Sequence, residues 1–380
     1  MIDTAKTWDL VLSYGDLSRG SGYKTRVLGE LEHLDENPFL LLFDRHPEEF
    51  TRNARIDVPF RAIPRAAMLR FYPEAARLAR QKPIRLVHAH NLYSAALAIS
   101  ARGLHHYRVI LDYHGRIPEE YVFLGKGGDT SRRALESLEA WTVRRADHIV
   151  TVSGRLADYI KDRYKIQDSK ISVIPCAADS RLFRWDAELR RQTRQRLKLD
   201  GRFVCAHLGS FFEWYEPDFL MRTFAEIRHT FPDAHLMVVT NEVVRAQEYL
   251  EARLARKDFN VLSAEHRDVP ALLNASDAGF LLLRSTPNIQ TSSPVKFAEY
   301  LNCGLPVLIT PHVGDYSELV ARSGAGAIVN NVDATDLSIL KRPREELAAR
   351  CTAAGAPLTW QALGGAWKGA VANCVSVSVR

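Results

Sequence analysis

The stretch TSSPVKFAEYLNCGLPVLIT, residues 291–310, reads as a helix, a glycine stop and a buried strand in immediate succession. Ser292 or Ser293 stands where a hydroxyl caps a helix, and Pro294 suits a first helical position because its missing N–H is not needed there. The helix runs to Asn302 or Cys303, Gly304 ends it, and LPVLIT (305–310) follows as an apolar run without polar alternation. A strand that is apolar on both faces is covered on both faces, as in a parallel sheet clad in helices.

The same rhythm extends in both directions. Upstream in this half, RFVCAHLG (202–209), AHLMVVT (234–240), FNVLSA (259–264) and AGFLLL (278–283) read as strands, with helical periodicity over 217–230, 243–255, 268–276 and 294–303. The first half repeats the pattern with WDLVLSY (8–14), PFLLLFD (38–44), IRLVHAH (84–90), YRVILDY (107–113) and HIVTVS (148–153), and helices over 22–34, 66–81, 93–102 and 131–146. Alternating strand and helix imply an α/β protein of two Rossmann-like parallel-sheet domains. The polar, basic stretch 183–200 reads as the linker, and PLTWQALGGAWKGAVANCV (357–375) reads as a last helix despite Gly364 and Gly365. In such sheets ligands bind beyond the carboxyl ends of the strands, so the loops after each strand are the places to inspect.

Composition narrows the function classes. The chain has 380 residues, a length that suits two domains, and 25% of them are charged, as in ordinary globular proteins. No window holds the roughly 20 unbroken apolar residues of a membrane span. The opening MIDTAKTWDLVLSYGD lacks the pattern of a signal peptide, so a cytoplasmic setting is expected. Five cysteines, Cys176, Cys205, Cys303, Cys351 and Cys374, are odd in number and show no C-x-x-C pair, which argues for buried thiols rather than disulfides or zinc. The net charge of +6 suits phosphate-bearing ligands without demanding nucleic acid, and no nucleic-acid motif is present.

Several side chains suggest chemistry. The start of the helix at 294 offers free N–H groups and a favourable dipole to an anion, and Lys296 in its first turn adds charge. Glu299 lies one turn on, where a carboxylate can accept two hydrogen bonds from a vicinal diol such as a ribose. Together these suit a nucleoside diphosphate. His114 directly follows the strand 107–113, with Arg116, Glu119 and Glu120 behind it. His88 and His90 lie two apart on a strand and therefore on one face, yet no third ligand stands at suitable spacing, and no metal is expected. The first turn, SYGDLSRGSGYKTR (13–26), nearly spells a phosphate loop, but Ser21 stands where lysine is required, so the nucleoside triphosphate reading fails.

The pattern S-P-x-K-x-x-E-Y-L-x-x-G-L-P-V resembles the donor-binding helix of glycosyltransferase family 4, whose members have the GT-B fold. The likeness extends over ADHIVTVSGRLADYIKDRYKIQDSKISVIPCAADSRLF (146–183), where Ile174, Pro175, Asp179 and Phe183 match and Cys176 replaces an asparagine. It implies two domains facing across a cleft: an acceptor-side domain of residues 1–185 joined by the returning helix 357–380, and a nucleotide-sugar domain of residues 186–356. It also implies a hexosyltransferase that retains anomeric configuration and needs neither metal nor cofactor. Its donor would be a nucleotide sugar, and its acceptor a glycan or a lipid-linked molecule, as in polysaccharide biosynthesis.

Residue by residue, the resemblance implies that Glu299 meets the ribose and that the backbone of Ser292, Ser293, Pro294 and Val295 holds the diphosphate. His114 would contact the donor sugar, with Lys296 as the second catalytic group. Gly20 and Gly22 would let backbone amides approach the phosphate, and Gly209 and Ser210 open the matching loop of the second half. Two departures stand out. Thr291 replaces the first of the family's two glutamates, and the loop HLGSFFEWYEP (207–217) lacks the usual basic pair, which leaves Arg284 and Lys296 to meet the leaving charge. The first departure leaves room for a sugar-nucleotide epimerase of the same fold, the second for a non-catalytic sugar-nucleotide-binding protein. Finally, residues 65–85 alternate basic and apolar side chains, a pattern expected either of a helix packed on a sheet or of peripheral contact with the inner face of the plasma membrane.

Overall fold

In a computed structural model of the chain the described residues are 7–17, 22–34, 37–54 and 56–376. They form two units, one of Met1–Cys176 with Leu363–Arg380 and one of Ala177–Ala362. The sequence reading placed these divisions at 185/186 and 356/357. The shift has a local cause, since Ala178 pairs with Thr359 as an isolated parallel bridge, its N–H donating to Leu358 O at 3.0 Å while Trp360 N donates back to Ala178 O at 3.0 Å.

The first unit is built on seven strands, Trp8–Tyr14 (β1), Pro38–Asp44 (β2), Phe60–Pro64 (β3), Ile84–His90 (β4), Arg108–Tyr113 (β5), His148–Thr151 (β6) and Ile171–Val173 (β7). All pair in parallel, in the order β3-β2-β1-β4-β5-β6-β7. The second unit has Val204–Leu208 (β8), His235–Val239 (β9), Phe259–Leu262 (β10), Ala278–Leu281 (β11), Val307–Ile309 (β12) and Gly326–Ile328 (β13). These too are all parallel, in the order β10-β9-β8-β11-β12-β13. Both orders reverse once, between β1 and β4 and between β8 and β11, and each reversal opens a crevice at the strand ends. The inner strands are buried along most of their length, which explains their uninterrupted apolar sequences. The five cysteines are buried thiols, none of them in a disulfide.

Three expectations are corrected. Residues 183–200 are not merely a linker, because they contain the helix Ala187–Leu197, capped by Asp186 Oδ1 accepting from Leu189 N at 2.9 Å. Only Thr193 of this helix is buried. It docks instead through arginine guanidinium groups: Arg190 donates to Asn274 O (2.8 Å) and Ser276 O (2.7 Å), Arg194 to Ala275 O (2.9 Å), and both pair with Asp277. The orphan carbonyls at the end of the helix Val269–Ala275 are thereby satisfied.

Next, 66–81 is not one helix, since a 3-10 segment Arg65–Arg70 precedes the α-helix Phe71–Gln81. Phe71, Ala75 and Leu78 are buried in that helix, so its apolar face is used inside the unit, while Met68 and Leu69 of the preceding 3-10 segment are exposed.

Last, the helix near 294 is Val295–Asn302, with Pro294 at the cap position and no side chain capping it. Ser293 is turned inward, its hydroxyl 2.6 Å from that of Tyr316, and Ser292 donates to Ile289 O at 2.9 Å.

Candidate active site

In the second unit the loop after β8 and the first turn of the helix Val295–Asn302 meet at the β8/β11 reversal. Lys296 Nζ donates to Leu208 O at 2.5 Å and to the Tyr215 hydroxyl at 2.7 Å, and lies 4.8 Å from the centre of the Tyr215 ring. Gly209 sits between them at φ +102°, with its N–H on Val239 O at 2.8 Å. A Cβ at this position would stand 2.6 Å from Lys296 Nζ, so both the backbone angle and the ammonium require glycine. Burial lowers the Lys296 amine to about 8, with Glu299 pulling the other way. The amides of Val295 and Lys296 open the helix and have no carbonyl a turn earlier to bond.

Around this point the loop is locked. His207 Nε2 is 2.8 Å from Ser210 O and its ring meets that of Tyr215 edge-on at 4.6 Å, while burial, then Lys296, lowers its imidazole to about 3. Ser210 donates its hydroxyl to Glu242 Oε2 at 3.0 Å. Arg284 donates from Nε to Tyr215 O at 2.9 Å and thus braces the loop. Glu299 is 4% exposed and its Oε1 lies 2.7 Å from His266 Nε2. The Thr291 hydroxyl turns back onto Pro287 O and Asn288 O, so no carboxylate stands at that point.

The first unit holds a second cluster at the β1/β4 reversal. The register sets Ser13 beside His90 and His90 beside Asp112, so these side chains form one row on one face. The helix Gly22–Leu31 lays Tyr23, Arg26 and Glu30 over that row, spaced three and four apart on one side. Arg26 grips Asp112 with two hydrogen bonds, Nε to Oδ2 at 2.7 Å and Nη2 to Oδ1 at 2.6 Å. Glu30 pairs with His88 Nδ1 (2.6 Å) and His90 Nε2 (2.9 Å). Neither contact meets hydrogen-bond geometry, so each is a close approach of a ring nitrogen to a carboxylate oxygen. His114 Nε2 lies 2.7 Å from Asp112 Oδ2, and its backbone N–H reaches Asn91 Oδ1 at 3.3 Å.

Charges balance within this cluster. Burial works against the charge of His90, but Glu30 and Asp112 outweigh it and raise the imidazole to about 9. Burial likewise opposes ionisation of Asp112, yet Arg26 and the rings of His114 and His90 hold the carboxyl well below its ordinary range. Burial lowers His114 against the pull of Asp112. Arg26 and His90 thus neutralise Asp112 and Glu30. The ligand atoms of His90, Asp112 and His114 lie within 4.8 Å of one another, but Asp112 already receives Arg26 and both rings, which leaves it ill suited to a cation.

The candidate residues therefore fall into two groups. Gly209, Ser210, Arg284, Ser292, Ser293, Pro294, Val295, Lys296 and Glu299 lie in the second unit, and His114 lies in the first. Gly22 is the exposed first residue of its helix, and Gly20 lies outside the described residues. Sequence reading passed over Tyr215, His266, Arg26, Glu30 and Asp112. The alternation of Asp112 and His114 at the end of β5 was the one available signal, since it sends both side chains to one face.

Residues 31–182 match the family model described as Glycosyltransferase Family 4, and residues 202–339 match that described as Glycosyl transferases group 1. Among solved structures, sucrose-phosphate synthase from Thermosynechococcus elongatus is similar at 16% identity with a TM-score of 0.75, over 98% of this chain and 100% of that one. HepE from Anabaena, solved in complex with UDP-glucose, is similar at 15% identity with a TM-score of 0.71, over 96% and 99%. The α,α-trehalose 6-phosphate synthase from Burkholderia multivorans is 15% identical with a TM-score of 0.64, over 98% and 99%. No curated protein matches by sequence. These solved structures share the GT-B fold, and the chain is a glycosyltransferase whose first part matches the family 4 model and whose second part matches the group 1 model.

Proposed function

We propose that the chain transfers a hexosyl group from a nucleoside diphosphate sugar to a hydroxyl of a glycan or lipid-linked acceptor, with retention of anomeric configuration. The observation that carries this reading is Lys296, held by Tyr215 and Leu208 O beside the opening turn of the helix Val295–Asn302. An ammonium, free amides and a helix dipole at one sheet reversal suit a diphosphate, and Glu299 one turn on suits the ribose. The departing nucleoside diphosphate would be stabilised by these fixed charges rather than by a metal. In this reading the second unit binds the donor, while the first supplies His114 to the sugar and receives the acceptor.

Gly22, and Gly20 outside the described residues, remain proposed contacts of the donor phosphate, as do Ser210 and Arg284. Ser292 and Ser293 would act through their backbone, because their hydroxyls are engaged elsewhere. Among the described residues no helix is long and apolar enough to cross a membrane. Exposed Met68 and Leu69, flanked by Arg65 and Arg70, support peripheral contact with an anionic bilayer as part of the same proposal.

Thr291 in place of a carboxylate supports a second reading, sugar-nucleotide epimerisation, and one experiment separates the two. HepE was solved with UDP and with UDP-glucose, so a uridine nucleotide sugar is the first donor to incubate with the chain. Release of nucleoside diphosphate that depends on added acceptor supports transfer. Isomerised sugar nucleotide without acceptor supports epimerisation, and binding without turnover across donors and acceptors contradicts both.

A further inference from the structure

We infer that Asp112 is a positioning residue for His114, fixing the imidazole with its Nε2 proton inward and Nδ1 outward as a hydrogen-bond acceptor for a sugar hydroxyl. The inference rests on the reading above only in giving His114 a sugar to meet.

The geometry is a chain of fixed groups. Arg26 Nη1 donates to Ile174 O at 3.0 Å and Pro175 O at 3.3 Å, and the Trp367 ring lies 5.5 Å from the guanidinium carbon. Its remaining donors, Nε and Nη2, close on the two oxygens of Asp112, and the side chains are 1% and 0% exposed. A guanidinium held on three sides holds the plane of its carboxylate. Asp112 Oδ2 then faces His114 Nε2 at 2.7 Å, while the His114 side chain is 15% exposed.

The proton assignment follows from what each neighbour can do. A carboxylate paired to arginine only accepts, so the nitrogen facing it carries the hydrogen. The second neighbour of Nε2 is His90 Nδ1 at 3.2 Å. If His90 is charged, its Nδ1–H also points to Asp112 Oδ2, 3.1 Å away, and the two rings donate side by side. If His90 is neutral with its proton toward Glu30, its Nδ1 accepts from His114 Nε2. In both cases His114 carries its proton on Nε2. Nδ1 has no hydrogen-bond partner among the described residues, and a neutral ring presents a lone pair there.

The setting around the ring is equally fixed. The Tyr23 ring lies 5.2 Å from that of His114, and its hydroxyl is tied to Ser13 Oγ at 2.9 Å. A Cβ at Gly15 would stand 2.5 Å from the Tyr23 ring, so the glycine of the first turn makes room for this packing. Asn91 at φ +66° holds the His114 backbone. The ionisable and charged groups facing the ring are therefore Asp112, Arg26, His90 and Tyr23.

Two-bond ¹H–¹⁵N correlation of the histidine-labelled full chain reads the tautomer directly, with His114→Gln to assign the ring. At neutral pH the inference expects Nε2 protonated and Nδ1 bare in the parent chain, and loss of that single-tautomer pattern in Asp112→Asn. A parent ring protonated on Nδ1, or an unchanged ring in a folded Asp112→Asn, overturns it. Should Asp112→Asn not fold, the parent spectrum decides alone. Turnover separates this from the functional reading. If the tautomer is as stated but His114→Ala turns over donor as fast as the parent, the reading of His114 fails and the positioning stands. If His114→Ala is slowed and the ring is unchanged in Asp112→Asn, the positioning fails and the reading stands.

Discussion

His266 Nε2 lies 2.7 Å from Glu299 Oε1, with the histidine side chain 47% exposed and the glutamate only 6%. Phe183 packs against the histidine with ring centres 5.0 Å apart. A carboxylate held in place from its solvent side is oriented before a ligand arrives, which lowers the ordering cost of binding. If Glu299 receives a ribose diol, Glu299→Gln weakens nucleoside diphosphate binding by about 10- to 100-fold, the worth of a charge-assisted hydrogen bond. Inorganic pyrophosphate, which has no ribose, binds both forms equally. Calorimetric titration with each ligand checks the difference.

Lys296 gives a pH signature. Its amine is lowered to about 8 by burial, and a bound diphosphate favours the charged form. Affinity for a nucleoside diphosphate is therefore full below pH about 8 and falls as pH rises through it, up to about tenfold per pH unit. Lys296→Met binds weakly and without that fall. Dissociation constants between pH 6.5 and 9.5 test this, after correction for the ligand's own ionisation.

Gly209→Ala places a Cβ 2.6 Å from Lys296 Nζ at a backbone φ of +102°. The backbone conformation alone costs about 1–3 kcal/mol. The variant should melt at a lower temperature and bind nucleoside diphosphate less tightly, because the ammonium must move. Thermal melts with and without ligand report both effects.

Removing one partner of the buried Arg26–Asp112 pair, as in Arg26→Met, leaves an uncompensated charge and should cost about 3–5 kcal/mol in denaturant unfolding. The neighbouring His90 adds a pH term. Its imidazole is raised from an ordinary 6.5 to about 9, so the stability it contributes is fully present below pH about 6.5 and lost as pH rises through about 9. The stability difference between the parent chain and His90→Gln, followed across that window, should shrink with rising pH.

What the sequence disclosed and what it withheld have physical causes. The inner strands were legible because both of their faces are covered, which leaves uninterrupted apolar runs such as PFLLLFD. The edge strands Phe60–Pro64, Ile171–Val173 and Gly326–Ile328 were missed, since each is short and only partly buried. The helix Ala187–Leu197 was read as linker because it docks by arginine guanidinium groups rather than by an apolar stripe. On the donor side, Lys296 and Glu299 were visible through the spacing of one helix. The Arg26–Asp112–His114 chain was not, because a helix and a strand contribute residues that are 86 positions apart. The serine caps failed for a related reason: Ser293 meets Tyr316, 23 positions away, which no local rule anticipates.

The central claim is that the turn opening at Val295, with Lys296, grips the diphosphate of a sugar nucleotide. Calorimetric titration of UDP, GDP, ADP and dTDP into the parent chain and into Lys296→Ala tests it most directly. The account predicts saturable binding of at least one of them by the parent chain, lost or weakened at least tenfold in the folded variant. Absence of binding to all four by the parent chain, or equal affinity in Lys296→Ala, would contradict it.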